Sequence, residues 1–380
     1  MRVLLTSAPA VGHVVPLLGL GQALRDAGHG VRVATHADVH PLIVGAGLQP
    51  IAAGMSGRAM TQERIRRWPE TVAQPGTEWA VRMFTQILGP TTLTDLLAFC
   101  REWRPDLVIH EEGEYAGPVA ATWVGVPWVT HGWGSPLRSA EDLGALKQHV
   151  SSLWESMDAP VPKWGGLYQH GLLNPCPVAL QPEGPGVLLT WPVRPKPLTE
   201  PTDRSGIGDW LSDVYIGFGT VPLFAEDEAA LPAAVLACVD RELKTVVTTS
   251  DPDQAARLGA AHPELVKAGT FVALAAVLPS CRLVVCHGGA GTVLAALASG
   301  APLVIVPKGT PSQIRMAAAC VTAGVAVLSG PEPDSIASAI AAVLDDERFR
   351  DRARDIAAQI RAMPAPSDVV PALQEVASQA

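Results

Sequence analysis

Cys286-His287-Gly288-Gly289-Ala290-Gly291-Thr292 follows the apolar run Leu283-Val284-Val285 and leads into the helical pattern LAALASG at 294–300. A strand that ends in a histidine and two glycines ahead of a helix leaves backbone amides bare at the helix N-terminus. There the peptide dipoles sum to a partial positive charge, which suits a phosphate. Glycines in this position also serve tight turns and close helix packing with no ligand at all, so the surrounding pattern has to decide. It repeats: Val3-Leu4-Leu5 runs to Gly12-His13, and Val214-Tyr215-Ile216 runs to Gly217-Phe218-Gly219-Thr220. Strand, glycine and helix in that order predict an α/β protein whose functional groups gather at the carboxyl ends of parallel strands.

At 380 residues the chain exceeds the size at which one core stops growing, so two domains of roughly 180 residues are expected. A composition of 48% hydrophobic and 17% charged residues belongs to a globular protein, not a disordered one. The net charge of −9 argues against nucleic acid as a general partner, and Arg64, Arg66 and Arg67 read as a solvated helix face. Cys100, Cys176, Cys238, Cys281, Cys286 and Cys320 form no CxxC pair and no zinc spacing. They read as reduced core thiols of a cytoplasmic protein, with no metal site. Arg2 alone precedes Gly12-His13 and Pro16, so a signal peptide is not expected. No apolar run reaches the roughly 18 to 20 residues of a membrane span, so stable membrane insertion is not expected either.

The chain opens as strand, loop, helix and strand: VLLTSA, AVGHVV, PLLGLGQALRDAG and VRVAT. Pro16 suits the first turn of a helix, and Leu17, Leu20, Leu24 and Ala27 line one face of it. Gly28 provides the stop. Strands follow at DLVIH (106–110) and WVTH (128–131), and residues 132–190 read as long loops and helices. The stretch 191–206 packs four prolines into a short polar segment and is the linker candidate. A second alternating half follows: VYIGFGT, a helix around 227–240, TVVTTS (245–250), TFVALA (270–275), LVVCH (283–287), a helix to 299, PLVIVP (302–307), and a helix over 312–324. The tail from Pro364 reads as one more helix.

GHVVPLLGL with AGHGV, RPDLVIHEEGEYAGPVAATWVGVP (104–127), VYIGFGT, LPSCRLVVCHGGAGT (278–292), PLVIVPKG (302–309), IRAMPAP (360–366) and VVPALQEVA (369–377) stand in an order that resembles the GT-B glycosyltransferases. Within them the chain is similar to the bacterial enzymes that glycosylate antibiotics and related secondary metabolites. The resemblance runs nearly end to end. It implies two Rossmann-like domains facing across a cleft: an acceptor-binding domain over 1–200, a nucleotide-sugar domain over 207–363, and a C-terminal helix at 364–380 packing back on the first. It also implies an inverting, metal-independent transfer of a sugar from a nucleoside diphosphate sugar to a hydroxyl of a hydrophobic small molecule. The sugar nucleotide is a co-substrate and no cofactor is expected. A homodimer is left open.

On this resemblance His287 and the segment Gly288, Gly289, Ala290, Gly291 and Thr292 share the charge of the diphosphate. Gly219 and Thr220 approach it from the other side, and Phe271 with Val272 belongs to the donor site. Phe271 either stacks on the base or fills the core. The attacking alcohol needs a group that takes its proton at neutral pH, and His13 corresponds to the family's general base. His29, in an AGHGV turn, reads as structural. Glu111 aligns with the family's histidine-orienting aspartate; alternatively, Glu111, Glu112 and Glu114 form a solvated loop or an acceptor-binding wall. Five of the ten tryptophans, Trp123, Trp128, Trp133, Trp154 and Trp164, crowd one segment. One or two of them are expected to line an acceptor pocket, with Gly12 and Trp133 as the named candidates.

Ser312-Gln313 stands where relatives using fully hydroxylated hexoses place an acid and a glutamine. Losing the carboxylate disfavours a sugar bearing both hydroxyls, so a dTDP-linked deoxysugar is the expected donor, with UDP-glucose second. Other classes fit less well. A nicotinamide oxidoreductase needs GxGxxG after the first strand, and the chain has SAPAVGHVVP. A sugar-nucleotide epimerase of the same fold, or a non-catalytic helper protein, is the remaining alternative.

Overall fold

The computed structural model describes residues 1–72, 77–181, 186–187, 189–196, 207, 210–219, 230–307 and 309–379. Thr220 and residues 197–206 of the linker candidate lie outside them. Among the described residues the strands are β1 (Arg2–Thr6), β2 (Gly30–Thr35), β3 (Pro50–Ala52), β4 (Leu107–Glu111), β5 (Trp128–His131), β6 (Leu172–Asn174), β7 (Thr190–Pro192), β8 (Val214–Gly217), β9 (Thr245–Thr248), β10 (Val266–Gly269), β11 (Leu283–Cys286), β12 (Leu303–Ile305) and β13 (Ala326–Leu328). They form two all-parallel sheets, ordered β3-β2-β1-β4-β5-β6-β7 and β10-β9-β8-β11-β12-β13. Leu4, Leu5, Val108, Ile109 and Val129 in the first sheet, and Ile216, Val247, Val284, Val285 and Val304 in the second, are wholly buried. That is why these strands read as unbroken apolar runs: a parallel sheet carries helices on both faces. Each of the two units carries one such sheet.

Each sheet reverses direction once. The chain runs outward from β1 through β2 to β3, then returns to place β4 on the other side of β1; β8 and β11 repeat the manoeuvre in the second sheet. Where the order reverses, the connections leaving two adjacent strands diverge and open a crevice beyond their carboxyl ends. His13 and Glu111 lie at the first reversal, Gly219 and His287 at the second.

By internal contacts the chain divides into a unit of Met1–Cys176, Pro182–Lys196 and Met363–Ala380 and a unit of Pro177–Gln181 and Pro197–Ala362. In the first, Arg194 donates to the Met363 carbonyl through Nε and Nη2 at 3.1 and 2.9 Å, and the Arg194 amide donates to the Pro364 carbonyl at 2.7 Å. The helix Val370–Ser378 follows, and its Gln374 reaches His29 Nε2 at 3.3 Å. His29 Nδ1 meets the N-terminal amine at 3.4 Å, so this histidine is satisfied locally.

Three expectations need correction. The first helix begins at Val11, not at Pro16. Ala10, extended, already caps it, and Pro16 inside the helix cannot bond back to the Gly12 carbonyl. The strand expected at 270–275 lies earlier, at Val266–Gly269, where Val266 pairs with Thr245; Phe271 falls beyond its end. Arg64 is not part of a solvated face. It is 6% exposed and lies 4.6 Å over the Trp79 ring, whereas Arg66 and Arg67 are exposed and pair with Glu63. All six cysteines are buried. Among the described residues no helix is long and apolar enough to cross a membrane.

Candidate active site

His13 sits in the first turn of the helix Val11–Asp26, its amide bonded to the Ala10 carbonyl at 3.0 Å, and not in an open loop. The helix lies close on β1 because Gly21 has no side chain: a Cβ there would stand 2.7 Å from Leu48 Cδ1 and 3.0 Å from Leu5 Cδ1. His13 Nδ1 is 2.9 Å from Glu111 Oε1 at the end of β4, and the carboxylate is buried while the imidazole is one-fifth exposed. Oε1 also accepts the Ala8 amide at 3.1 Å. Oε2 accepts the Gly113 amide at 2.6 Å and the Trp133 indole N–H. Burial alone would lift this carboxyl; the His13 charge and the bonds from His13, Gly113 and Ala8 outweigh it and hold it below the usual value. An ionised carboxylate only accepts, so His13 donates through Nδ1, and the neutral ring keeps its lone pair on Nε2. That geometry is an oriented proton acceptor.

The neighbouring acids are not a solvated loop. Glu112 and Glu114 are each 2% exposed. Glu112 accepts the Tyr168 hydroxyl at 2.8 Å and pairs with Arg138 at 3.4 Å. Glu114 accepts the Thr6 hydroxyl at 2.5 Å and the amides of Ala116 and Gly117 at 2.6 and 2.9 Å, which caps the helix Ala116–Val124. His110 bridges the Glu114 carbonyl at 2.7 Å and the Thr130 hydroxyl at 2.8 Å. These groups brace the loop that carries Glu111.

Their burial makes stability depend on pH. Burial pushes His110 and His131 down to about 4 from 6.5, so between those values the unfolded chain binds two protons that the folded chain does not. Burial also lifts Glu114 from 4.5 to about 7, so the folded chain keeps one proton that the unfolded chain loses in that interval. Across these three groups the difference from pH 6.5 to 4.5 is one proton in favour of the unfolded chain, and His29 and His170, also lowered by burial, act in the same direction. Stability therefore falls on acidification by on the order of 1 kcal/mol per pH unit. Thermal melting should give a lower midpoint at pH 5 than at pH 6.5; an equal or higher midpoint at pH 5 contradicts this assignment.

In the second unit β11 ends at Cys286, and Gly288, at φ +85°, turns the chain into the helix Ala290–Ala298. Gly289 caps that helix with no side chain, and its first turn holds no acid. The amides of Ala290, Gly291 and Thr292 have no acceptor inside the helix. Gly291 has open space around its Cα. The imidazole of His287 lies against two glycines. A Cβ on Gly289 would stand 2.5 Å from His287 Nε2, and one on Gly219, at φ +87°, would stand 2.9 Å from Cε1. A Cβ on Gly288 would come within 3.3 Å of the Gln313 carbonyl oxygen. Gly219, His287, the glycine loop and Gln313 thus meet around one turn. Gln313, 6% exposed, is held by its amide to Thr310 Oγ1 at 3.3 Å, with Ser312 Oγ 3.4 Å from the same hydroxyl. Phe271 is 48% exposed and so does not fill the core, while Val272 is buried.

Of the five crowded tryptophans, Trp128 and Trp154 are core residues bonded to the Gly166 and Gly165 carbonyls. Trp123 is exposed beneath Arg101, and Trp164 stacks with Lys163 and Tyr168. Trp133 alone among them reaches His13, with ring centroids 4.7 Å apart. Phe84, not singled out in the sequence, approaches His13 from another element at 5.4 Å. It lies on the π-helical turn Met83–Leu88, where the extra residue breaks the 3.6 spacing and hides the contact from periodicity; such turns gather at functional sites. Among the described residues no three His, Cys, Asp or Glu side chains converge as a metal site.

Two domain families match the chain: the erythromycin biosynthesis protein CIII-like N-terminal domain over 22–187 and the corresponding C-terminal domain over 233–376. The L-demethylnoviosyl transferase of Streptomyces niveus is 33% identical over 81% of this chain and 79% of its own length. The elloramycin glycosyltransferase ElmGT of Streptomyces olivaceus is 30% identical over 97% of this chain and 96% of its own. The crystal structure of the glycosyltransferase VinC in complex with dTDP superposes with a TM-score of 0.75 at 26% identity, covering both chains fully.

Proposed function

The chain belongs to the erythromycin biosynthesis protein CIII-like family and is a glycosyltransferase of the antibiotic type, and on that premise we propose that it moves a deoxysugar from a dTDP-linked donor to a hydroxyl of a hydrophobic acceptor, with inversion and without a metal ion. The observation that carries the proposal is the hydrogen bond between His13 Nδ1 and buried Glu111 at the strand-order reversal of the first sheet. His13 Nε2 takes the acceptor's proton as its oxygen attacks the anomeric carbon, and Glu111 stabilises the imidazolium that forms. A single displacement inverts the anomeric centre.

The leaving diphosphate rests on the amides of Ala290 to Thr292 and on His287, which supply positive potential where another site would use a cation. Gly12 is the acceptor-side candidate and Phe271 with Val272 the nucleobase-side ones; Trp133, offered by the sequence as an acceptor wall, donates its indole N–H to Glu111. The relative solved with dTDP favours thymidine over uridine. The helix entrance Thr310-Pro311-Ser312-Gln313 carries no carboxylate for a sugar hydroxyl, which favours a deoxysugar. Turnover should be faster with dTDP-deoxysugars than with UDP-glucose and unchanged by EDTA. Faster turnover with UDP-glucose would overturn the donor assignment, and loss of activity in EDTA would overturn metal independence.

A further inference from the structure

We propose that Trp133 is a positioning residue for the His13–Glu111 pair, fixing the carboxylate through its indole N–H and the imidazole through its ring; this rests on reading that pair as the base. Glutamate has one more rotatable bond than aspartate, so its carboxylate needs more fixing to present one oxygen to His13. Here each oxygen has two donors: His13 and the Ala8 amide on Oε1, the Gly113 amide and Trp133 Nε1–H on Oε2. Trp133 is the one side chain besides His13 among these donors. Its ring also stands edge-on to His13, 65° between planes, while Phe84 lies tilted against the same imidazole. Gly113 makes room for it: a Cβ there would stand 2.5 Å from Trp133 Cζ2. One indole thus touches both members of the pair and the backbone that donates beside it. A residue serving only as an acceptor wall requires none of these contacts.

Trp133→Phe removes the N–H and keeps a flat ring. It should lower kcat about 10-fold or more, the loss expected for a hydrogen bond to a charged group, with the acceptor KM little changed. With the carboxylate freed to turn away from His13, the imidazolium loses stabilisation. The acid limb of the kcat profile should therefore move to lower pH. The other ionisable groups around Glu111 are His110, Glu112, Glu114, Tyr115 and His131, and the substitution leaves them in place. Gly113→Ala, which displaces the ring, should move the limb likewise.

An activity-free readout accompanies this. In the spectrum of ¹⁵N-indole-labelled protein, the signal lost in Trp133→Phe should lie downfield and move upfield in Glu111→Gln. A raised acceptor KM with an unmoved pH limb would make Trp133 an acceptor wall and overturn the proposal, as would an indole signal indifferent to Glu111→Gln. If Glu111→Gln shifts the indole signal yet leaves turnover intact, the clamp stands and the base assignment fails.

Discussion

His13→Ala lowers turnover by about 10²- to 10⁴-fold and leaves the affinity for dTDP nearly unchanged. The size follows from what is removed. The variant loses the Nε2 proposed to take the proton, while Glu111 keeps its bonds to Ala8, Gly113 and Trp133; without His13, burial lifts its carboxyl. The glycine loop proposed to hold the diphosphate belongs to the other unit, so dTDP affinity is expected to survive. Turnover in a saturating donor series and calorimetry with dTDP separate the two quantities. A variant with full turnover removes His13 from the chemistry; a variant that loses dTDP affinity in proportion makes it a binding residue.

His287→Ala gives the complementary result: dTDP binds about 10- to 100-fold more weakly, the cost of losing a charge-assisted hydrogen bond to a phosphate. Gly289→Ala should do the same with the histidine present. Its Cβ would stand 2.5 Å from Nε2 and 2.8 Å from Cε1, closer than real Cβ contacts come, so the ring must leave its place. Gly219→Ala meets the ring from another strand and must also hold an alanine at φ +87°. If His287→Ala and His13→Ala lowered turnover and affinity alike, the division of roles between the two histidines would be wrong.

Much of this is legible in the sequence because the candidate residues of each unit lie at strand ends, where an apolar run stops at a histidine, a glutamate or a glycine. Val3-Leu4-Leu5, DLVIH and Leu283-Val284-Val285 mark β1, β4 and β11, and the reversal of strand order does the rest. Short strands outside long apolar runs leave no such mark. Three residues at β3, β6, β7 and β13 carry no periodicity, and β10 hides in Val-Lys-Ala-Gly, displaced by the more apolar TFVALA that follows it. Contacts made only in three dimensions are silent too. The sequence offers Trp133 as a wall for an acceptor, and only folding shows its N–H on Glu111. It leaves Glu112 and Glu114, with Glu111, open as a solvated loop or an acceptor-binding wall, and only their buried partners show them bracing the turn. Phe84 escapes because a π-helical turn shifts the register that would place it.

Which nitrogen of His13 carries the proton decides whether the ring can act as the base. In a long-range ¹H–¹⁵N spectrum of histidine-labelled protein, the neutral ring whose signals vanish in His13→Ala should carry its proton on Nδ1 and show a bare Nε2. In Glu111→Gln that preference should weaken. A proton found on Nε2 would leave no lone pair to receive the acceptor's hydrogen, and His13 could not act as the base.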